Sequence, residues 1–202
     1  MTVIAAALLT IALVVGEEGP EPDAVETLEF TEQPVTVTAE ILKAAERGDA
    51  EAQFRVARNL LFEAMSDKRK GTEAVEWLQR AAENGSTEAM VHLGRMYRTG
   101  IGALQNYDLS GQWIERAAFA GDPEGMLELG RLYRDGIGFE LNLILAYAWF
   151  NRAAAELSTD AAYERDTLAR RLSPEQLKAA QDLSTALHEG DAALSGGSEP
   201  PH

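Results

Sequence analysis

The chain has 202 residues, of which 46% are hydrophobic, and this is enough to bury the core of one domain with short appended segments. Its 33 acidic and 18 basic residues give a net charge of −15, which argues against nucleic acid and anionic membrane surfaces as partners, because both require basic footprints. Cysteine is absent, which excludes disulfides, thiolate nucleophiles and cysteine-ligated metal sites.

The N-terminus carries an uncharged apolar run, Val3–Val15, followed by Gly16 and two glutamates. The run is shorter than the roughly 20 residues that span a bilayer, and it matches the apolar core of a secretory signal. We therefore expect residues 1–16 to act as a cleaved signal peptide and the mature protein to be periplasmic or secreted, without an integral membrane span. Retention as an N-terminal membrane anchor and burial as a cytosolic helix are the alternatives. Residues 17–37 are acidic and contain prolines, which predicts a flexible linker.

A unit of about 36 residues occurs three times between Ala44 and Arg152. Three tryptophans recur at intervals of 36 residues, and three glycines at intervals of 37 and 36: Trp77, Trp113 and Trp149, then Gly48, Gly85 and Gly121. Repetition at such a period is the signature of a solenoid, in which each unit buries its apolar face against its neighbours. The pattern predicts an all-α fold in which each unit is a helix A, a loop and a helix B.

Successive units are predicted to join at a two-residue corner. A glycine follows each helix end, where the left-handed conformation is favoured, and the next residue is a good N-cap. These pairs are Gly48–Asp49, Gly85–Ser86 and Gly121–Asp122. Within helix A, Gly94 and Gly130 occupy one repeated position, which predicts close approach of a neighbouring helix there. The glycines of the A–B loops at 100–102 and 136–138 are interpreted as turn glycines, because neither pair follows a strand.

The flanks of the array are predicted to cap its two ends. Residues 38–47 are similar to helix B of an incomplete preceding unit, and residues 159–172 are expected to be helical. The segment Ser173–Gln176 has the form of a capping box, which predicts that a last helix runs over Pro174–Leu187. We expect residues 190–202 to be a disordered tail.

The repeats resemble the Sel-one-like repeat family, relatives of the tetratricopeptide repeats. The resemblance rests on four features: AA-x-x-G-(D/S), A-x-x-x-L-G-x-x-Y, G-x-G and the helix B tryptophan. It implies a right-handed α-solenoid of helix-turn-helix repeats, with three full repeats and capping helices over residues 38–189. Family members serve mainly as protein-binding scaffolds, and exported bacterial members are often linked to envelope signalling, secretion or polysaccharide assembly.

No residue pattern predicts catalysis, a cofactor or a metal. The three histidines, His92, His188 and His202, lie far apart in the sequence and form no ligand motif. Nucleophile elbows and phosphate-binding loops are absent from the sequence. Acidic pairs such as Glu164 and Asp166 are interpreted as solvated surface.

Arginines recur on helix A of this acidic chain. One repeated position holds arginine in all three units, and a second holds arginine in two of them: Arg58, Arg95 and Arg131, then Arg98 and Arg134. A third position holds a different residue in each unit: Arg55, His92 and Glu128. Because helix A usually lines the inner surface of helix-pair solenoids, these eight residues are predicted to bind an acidic peptide, a C-terminal carboxylate or an anionic polysaccharide. Alternatively the arginines pair with Glu51, Glu88, Glu124 and carboxylates of helix B, and need no ligand.

A further arginine column lies on helix B, at Arg80, Arg116 and Arg152, and is predicted to be plain outer surface. The sequence and the resemblance together predict a non-enzymatic scaffold of the bacterial cell envelope that binds another protein on its concave helix A surface. Binding of an anionic polysaccharide or peptidoglycan is the alternative. The oligomeric state is left open.

Overall fold

The computed structural model of the protein describes residues 36–65, 67–156 and 158–195. Within these ranges the chain forms nine α-helices and no strand. The helices are α1 (Ala39–Glu46), α2 (Ala50–Ala64), α3 (Lys68–Glu83), α4 (Thr87–Thr99), α5 (Tyr107–Phe119), α6 (Pro123–Asp135), α7 (Leu143–Ala155), α8 (Thr159–Ala169) and α9 (Pro174–Ser195). The predicted signal peptide, residues 17–35 of the linker and residues 196–202 of the tail lie outside the described residues.

The helices stack as an α-solenoid of helix-turn-helix repeats, which confirms the predicted fold class. The A helices α2, α4 and α6 each pack against the B helix that follows, α3, α5 and α7. Each B helix then packs against the A helix of the next unit, and α4 also contacts α6 directly. Helix α1 covers α2 at the N-terminal end, as expected for helix B of an incomplete unit.

The predicted corners between units are confirmed in their backbone geometry. The three corner glycines have positive φ angles of 93°, 97° and 88° at Gly48, Gly85 and Gly121. The side chain of the next residue accepts the backbone N–H three residues later, at 2.8 Å for Asp49 and Asp122 and 3.2 Å for Ser86. Since each corner side chain satisfies one of the first N–H groups of the next helix, it helps to fix where each of these A helices begins.

The glycines inside helix A mark the closest contacts between helices. A Cβ atom added at Gly94 would lie 2.6 Å from Cγ1 of Ile114, and one added at Gly130 would lie 2.5 Å from Cδ1 of Phe150. Both distances are below van der Waals contact, so a side chain at either position would force α4 away from α5 or α6 away from α7. The predicted reason for these glycines is therefore confirmed.

The three repeated tryptophans differ in their burial. Trp149 is only 2% exposed and its ring meets Phe119 edge-on, with the centroids 5.2 Å apart. Trp77 and Trp113 are half-buried instead. The difference follows from packing, because α7 contacts α6, α8 and α9, whereas α3 and α5 each pack mainly between two A helices.

The C-terminal end closes the array by a different arrangement from the repeats. The capping box is confirmed: the Ser173 N–H donates to Oε1 of Gln176 at 2.9 Å, and the Gln176 N–H donates to Oγ of Ser173 at 3.2 Å. Helix α9 then packs mainly on α7 rather than on α8. It extends to Ser195 instead of ending near Leu187, so the first six residues of the predicted tail are helical.

Candidate functional site

The repeated positions on the A helices place charged side chains in register along one face. The position of Arg55 in α2 corresponds to His92 in α4, Glu128 in α6 and, one more period along, Glu164 in α8. We call this set, together with the arginines of α2, α4 and α6, the charge ladder. Its arginines are Arg55, Arg58, Arg95, Arg98, Arg131 and Arg134.

Glu128 is the centre of the charge ladder and is only 1% exposed. Its Oε1 atom lies 2.7 Å from Nη2 of Arg95 and 3.0 Å from Nη1 of Arg131, and its Oε2 atom lies 3.3 Å from Nη2 of Arg98. Burial by itself would raise the pKa of Glu128, but the guanidiniums of Arg95 and Arg98 outweigh it and hold the pKa below its usual value. The buried carboxylate is therefore ionised and links α4 to α6.

Glu164 repeats this arrangement at the next junction. It accepts from Nε of Arg131 at 3.3 Å and from Nη1 of Arg134 at 2.7 Å, and thereby links α6 to α8. Its side chain is 18% exposed, so its interpretation as a solvated residue is wrong. The spacing of 36 residues from Glu128 is the sequence signal that identifies this partner.

Two carboxylates at the rim complete the pairing. Arg95 also donates to Glu124, and Arg134 lies 2.7 Å from Oδ1 of Asp135. Four arginines of the predicted site thus contact carboxylates of the chain, as the alternative interpretation supposed, but these carboxylates lie on α6 and α8 and not on helix B. Sequence reasoning named Glu124 but missed Glu164 and Asp135.

The N-terminal end of the charge ladder has a different composition. The ring of His92 lies 5.4 Å from that of Phe54, and the guanidinium carbon of Arg58 lies 5.8 Å from the same Phe54 ring. Burial, followed by the charges of Arg95 and Arg58, lowers the pKa of His92 to about 4, although Asp122 opposes the shift. His92 is therefore neutral at physiological pH. Arg55 is half-buried, and no ion pair joins it to another described residue.

The B helices present a second repeated pattern. Each column arginine stacks over the tryptophan three residues before it, with distances from guanidinium carbon to ring centroid of 4.8 Å at Arg80, 4.4 Å at Arg116 and 4.9 Å at Arg152. Arg80 and Arg116 are exposed, as predicted. The prediction is wrong for Arg152, which is buried where α9 covers α7, beside a small cavity of about 230 Å³.

Other kinds of site are not evident in the part of the chain that the structure describes. No group of three histidine, aspartate or glutamate side chains there is arranged to hold a metal ion. None of the nine helices described combines the length and the apolar composition needed to cross a membrane.

Comparison with known proteins agrees with this architecture. The Sel1 repeat model matches residues 50–86, 87–122 and 123–156, which correspond to the helix pairs α2–α3, α4–α5 and α6–α7. No curated protein matches the sequence significantly. Proteins built from Sel1 repeats generally form non-catalytic scaffolds that mediate protein–protein interaction.

Two solved structures show the same fold. A protective antigen of uropathogenic Escherichia coli strains with an SLR fold is 26% identical, with a TM-score of 0.69, and the match covers 80% of this chain and 36% of that one. A Sel1 repeat protein from Oxalobacter formigenes is 36% identical, with a TM-score of 0.56, and the match covers 63% of this chain and 96% of that one. The chain spans about a third of the antigen's length. Its three matched repeats cover more than half of its own sequence, and the chain therefore belongs to the Sel1 repeat family.

Proposed function

We propose that this protein is a non-enzymatic scaffold of the bacterial cell envelope that binds a partner protein on the A-helix face of the solenoid. One observation carries the proposal. In a chain of net charge −15, helices α2, α4 and α6 contain no lysine, and all six of their arginines lie at positions that correspond between the repeats. A row of arginines at equivalent positions on one face of an acidic protein is suited to binding a partner segment of opposite charge.

The arginines of this face are held in fixed orientations. The side chains of Arg95, Arg98, Arg131 and Arg134 are between 12% and 27% exposed, and the buried or half-buried carboxylates orient their guanidiniums. A donor that is already ordered loses less conformational entropy on binding than a free surface side chain. The remaining exposed N–H groups can therefore donate to a partner at low entropic cost.

The A helices favour binding of an extended segment. Helices α2, α4 and α6 repeat at a regular interval and α4 contacts α6 directly, so their equivalent side chains form one row across the junctions. Such a row can recognise successive side chains of one partner segment. Location in the cell envelope is supported by the apolar run Val3–Val15, which has the form of a secretory signal.

Site-specific photo-crosslinking in the native host tests the proposal. A benzophenone side chain replaces Asn59, which lies one turn after Arg55 on α2, or exposed Gln112 on α5 as the control. We expect a protein to be crosslinked from position 59 and not from position 112. Equal capture from both positions, or from neither, would contradict the proposal. A captured product that resists protease and is degraded by glycan hydrolases would identify the polysaccharide alternative.

A further inference from the structure

One side of each A helix faces the next A helix along the array, and we call this side the forward face. It consists of residues spaced by four and then three positions, which lie on one side of a helix. In α4 and α6 these residues are Val91, Arg95 and Arg98, then Leu127, Arg131 and Arg134. The arginines contact Glu128 on α6 and Glu164 on α8, respectively. A forward face thus combines an apolar residue with donors for a carboxylate of the next helix.

Helix α8 carries the same three positions, and there they are exposed. They are Tyr163, Thr167 and Arg170, each 36 residues after its equivalent in α6. Tyr163 is 74% exposed, whereas the apolar residues at its position in the three preceding A helices are at most 6% exposed. In the described part of the chain no further A helix follows α8, since α9 packs mainly on α7. The position that is core in every earlier A helix is therefore open at the end of the array.

Arg170 continues a column of arginines whose earlier members bind carboxylates. Nη2 of Arg98 lies 3.3 Å from Oε2 of Glu128, and Nη1 of Arg134 lies 2.7 Å from Oε2 of Glu164. The side chain of Arg170 is exposed, and no hydrogen bond or ion pair joins it to another described residue. A guanidinium binds a carboxylate through strong, charge-assisted hydrogen bonds. The forward face of α8 is thus suited to a helix that brings a carboxylate to Arg170.

We infer that the forward face of α8 binds a helix of the partner protein that presents a glutamate to Arg170 and an apolar side chain to Tyr163. The inference rests on the proposed function, because the occupant is the same partner, and it adds a second contact at the C-terminal end of the A helices. The hydroxyl of Thr167 can donate a further hydrogen bond to the carboxylate. Burial of the exposed Tyr163 ring supplies the apolar part of the contact.

A second copy of this chain is not the expected occupant. Its first A helix is α2, in which the position of Glu128 and Glu164 is held by Arg55. Stacking of α2 from one copy on α8 of another would therefore bring Arg55 towards Arg170. Like charges that meet in an interface oppose association. The occupant is accordingly a different protein, whose helix carries an acidic residue where α2 carries an arginine.

Binding of a defined helical peptide tests the inference. The probe is a stapled, fluorescently labelled peptide with the sequence of α6, Pro123–Asp135, and the comparison peptide carries Glu128→Gln. The protein variant is Arg170→Gln, and the control is Arg171→Gln, which removes the same charge from the neighbouring exposed residue. We expect fluorescence anisotropy to show that the native protein binds the glutamate peptide about tenfold more tightly than the glutamine peptide. Arg170→Gln should abolish this preference, and Arg171→Gln should leave it intact.

Two outcomes of the peptide experiment would overturn the inference. Equal affinity of the two peptides for the native protein would show that no carboxylate is recognised. Equal losses in Arg170→Gln and Arg171→Gln would show that only the overall charge matters. Because both arginines are exposed, both variants should fold, and circular dichroism checks that they do.

Photo-crosslinking in the native host separates the inference from the proposed function. A benzophenone side chain at Thr167 should capture the same protein that is captured from position 59, and Arg170→Gln should reduce that capture. Capture from position 59 but not from position 167 would overturn the inference alone, whereas no capture from position 59 would overturn the proposed function. A crosslink from position 167 to a second copy, or within one chain, would also overturn the inference.

Discussion

Removal of the buried charge of Glu128 should destabilise the solenoid more than removal of any other carboxylate of the charge ladder or its rim. Glu128→Gln keeps the shape of the side chain but leaves Arg95, Arg98 and Arg131 without their shared negative charge. Breaking a buried ion pair by neutralising one partner costs about 3–5 kcal/mol, because the remaining charges are desolvated and uncompensated. Glu128 is 1% exposed, so solvent cannot take over its role.

Glu124→Gln provides the matched control. Glu124 also contacts Arg95, but its side chain is 49% exposed, and exposed ion pairs contribute less than about 1 kcal/mol. Urea denaturation followed by far-ultraviolet circular dichroism measures both variants against the native protein. If Glu128→Gln and Glu124→Gln are destabilised equally, the buried charge of Glu128 does not hold α4 and α6 together.

The charge of Glu128 should also make the stability difference between the native protein and Glu128→Gln depend on pH. The folded-state pKa of Glu128 lies below its unfolded value, so the ionised carboxylate stabilises the fold above the unfolded pKa of about 4.3. That contribution is lost as the pH falls through the folded pKa. The stability difference between the native protein and Glu128→Gln should therefore be constant near neutrality and shrink below about pH 4.3.

Three further predictions concern packing and processing. Gly94→Ala should lower the free energy of unfolding by about 1–3 kcal/mol in urea denaturation, because the added Cβ has no space. Gly190→Ala, at an open position in α9, should stabilise the protein slightly. Equal effects of the two changes would exclude a close helix contact at Gly94. Trp149→Ala should lower the free energy of unfolding by about 3–5 kcal/mol in the same measurement, and Trp113→Ala should lower it clearly less. The reverse order would contradict the burial of Trp149. Mass spectrometry of the protein from its host should find an N-terminus near Glu17, and a soluble cytosolic protein that retains its first methionine would contradict export.

Features set by local chemistry could be predicted from the sequence. The corner glycine Gly85 and the cap Ser86 act within a few residues of their position, so their roles follow from backbone conformation and one hydrogen bond. The capping box at Ser173 is equally local. The 36-residue period then extends these local assignments to the whole array.

Features that depend on contacts between residues distant in the sequence were harder to predict. The direction of α9 could not be predicted, because it depends on packing against α7. The same packing explains why Trp149 and Arg152 are buried, whereas their equivalents in the other repeats are more exposed. The arginine columns were evident in the sequence. The carboxylates that join one A helix to the next lie 29 to 33 residues from their arginines in the sequence. Only the repeat period connects Glu164 with Glu128.

Photo-crosslinking from the A-helix face tests the central claim, that this face of the solenoid binds the partner protein. The benzophenone side chain stands at position 59 of α2 or, in the control, at position 112 of α5. We expect one protein to be captured from position 59 and none from position 112. Equal capture from both positions, or from neither, would contradict the claim.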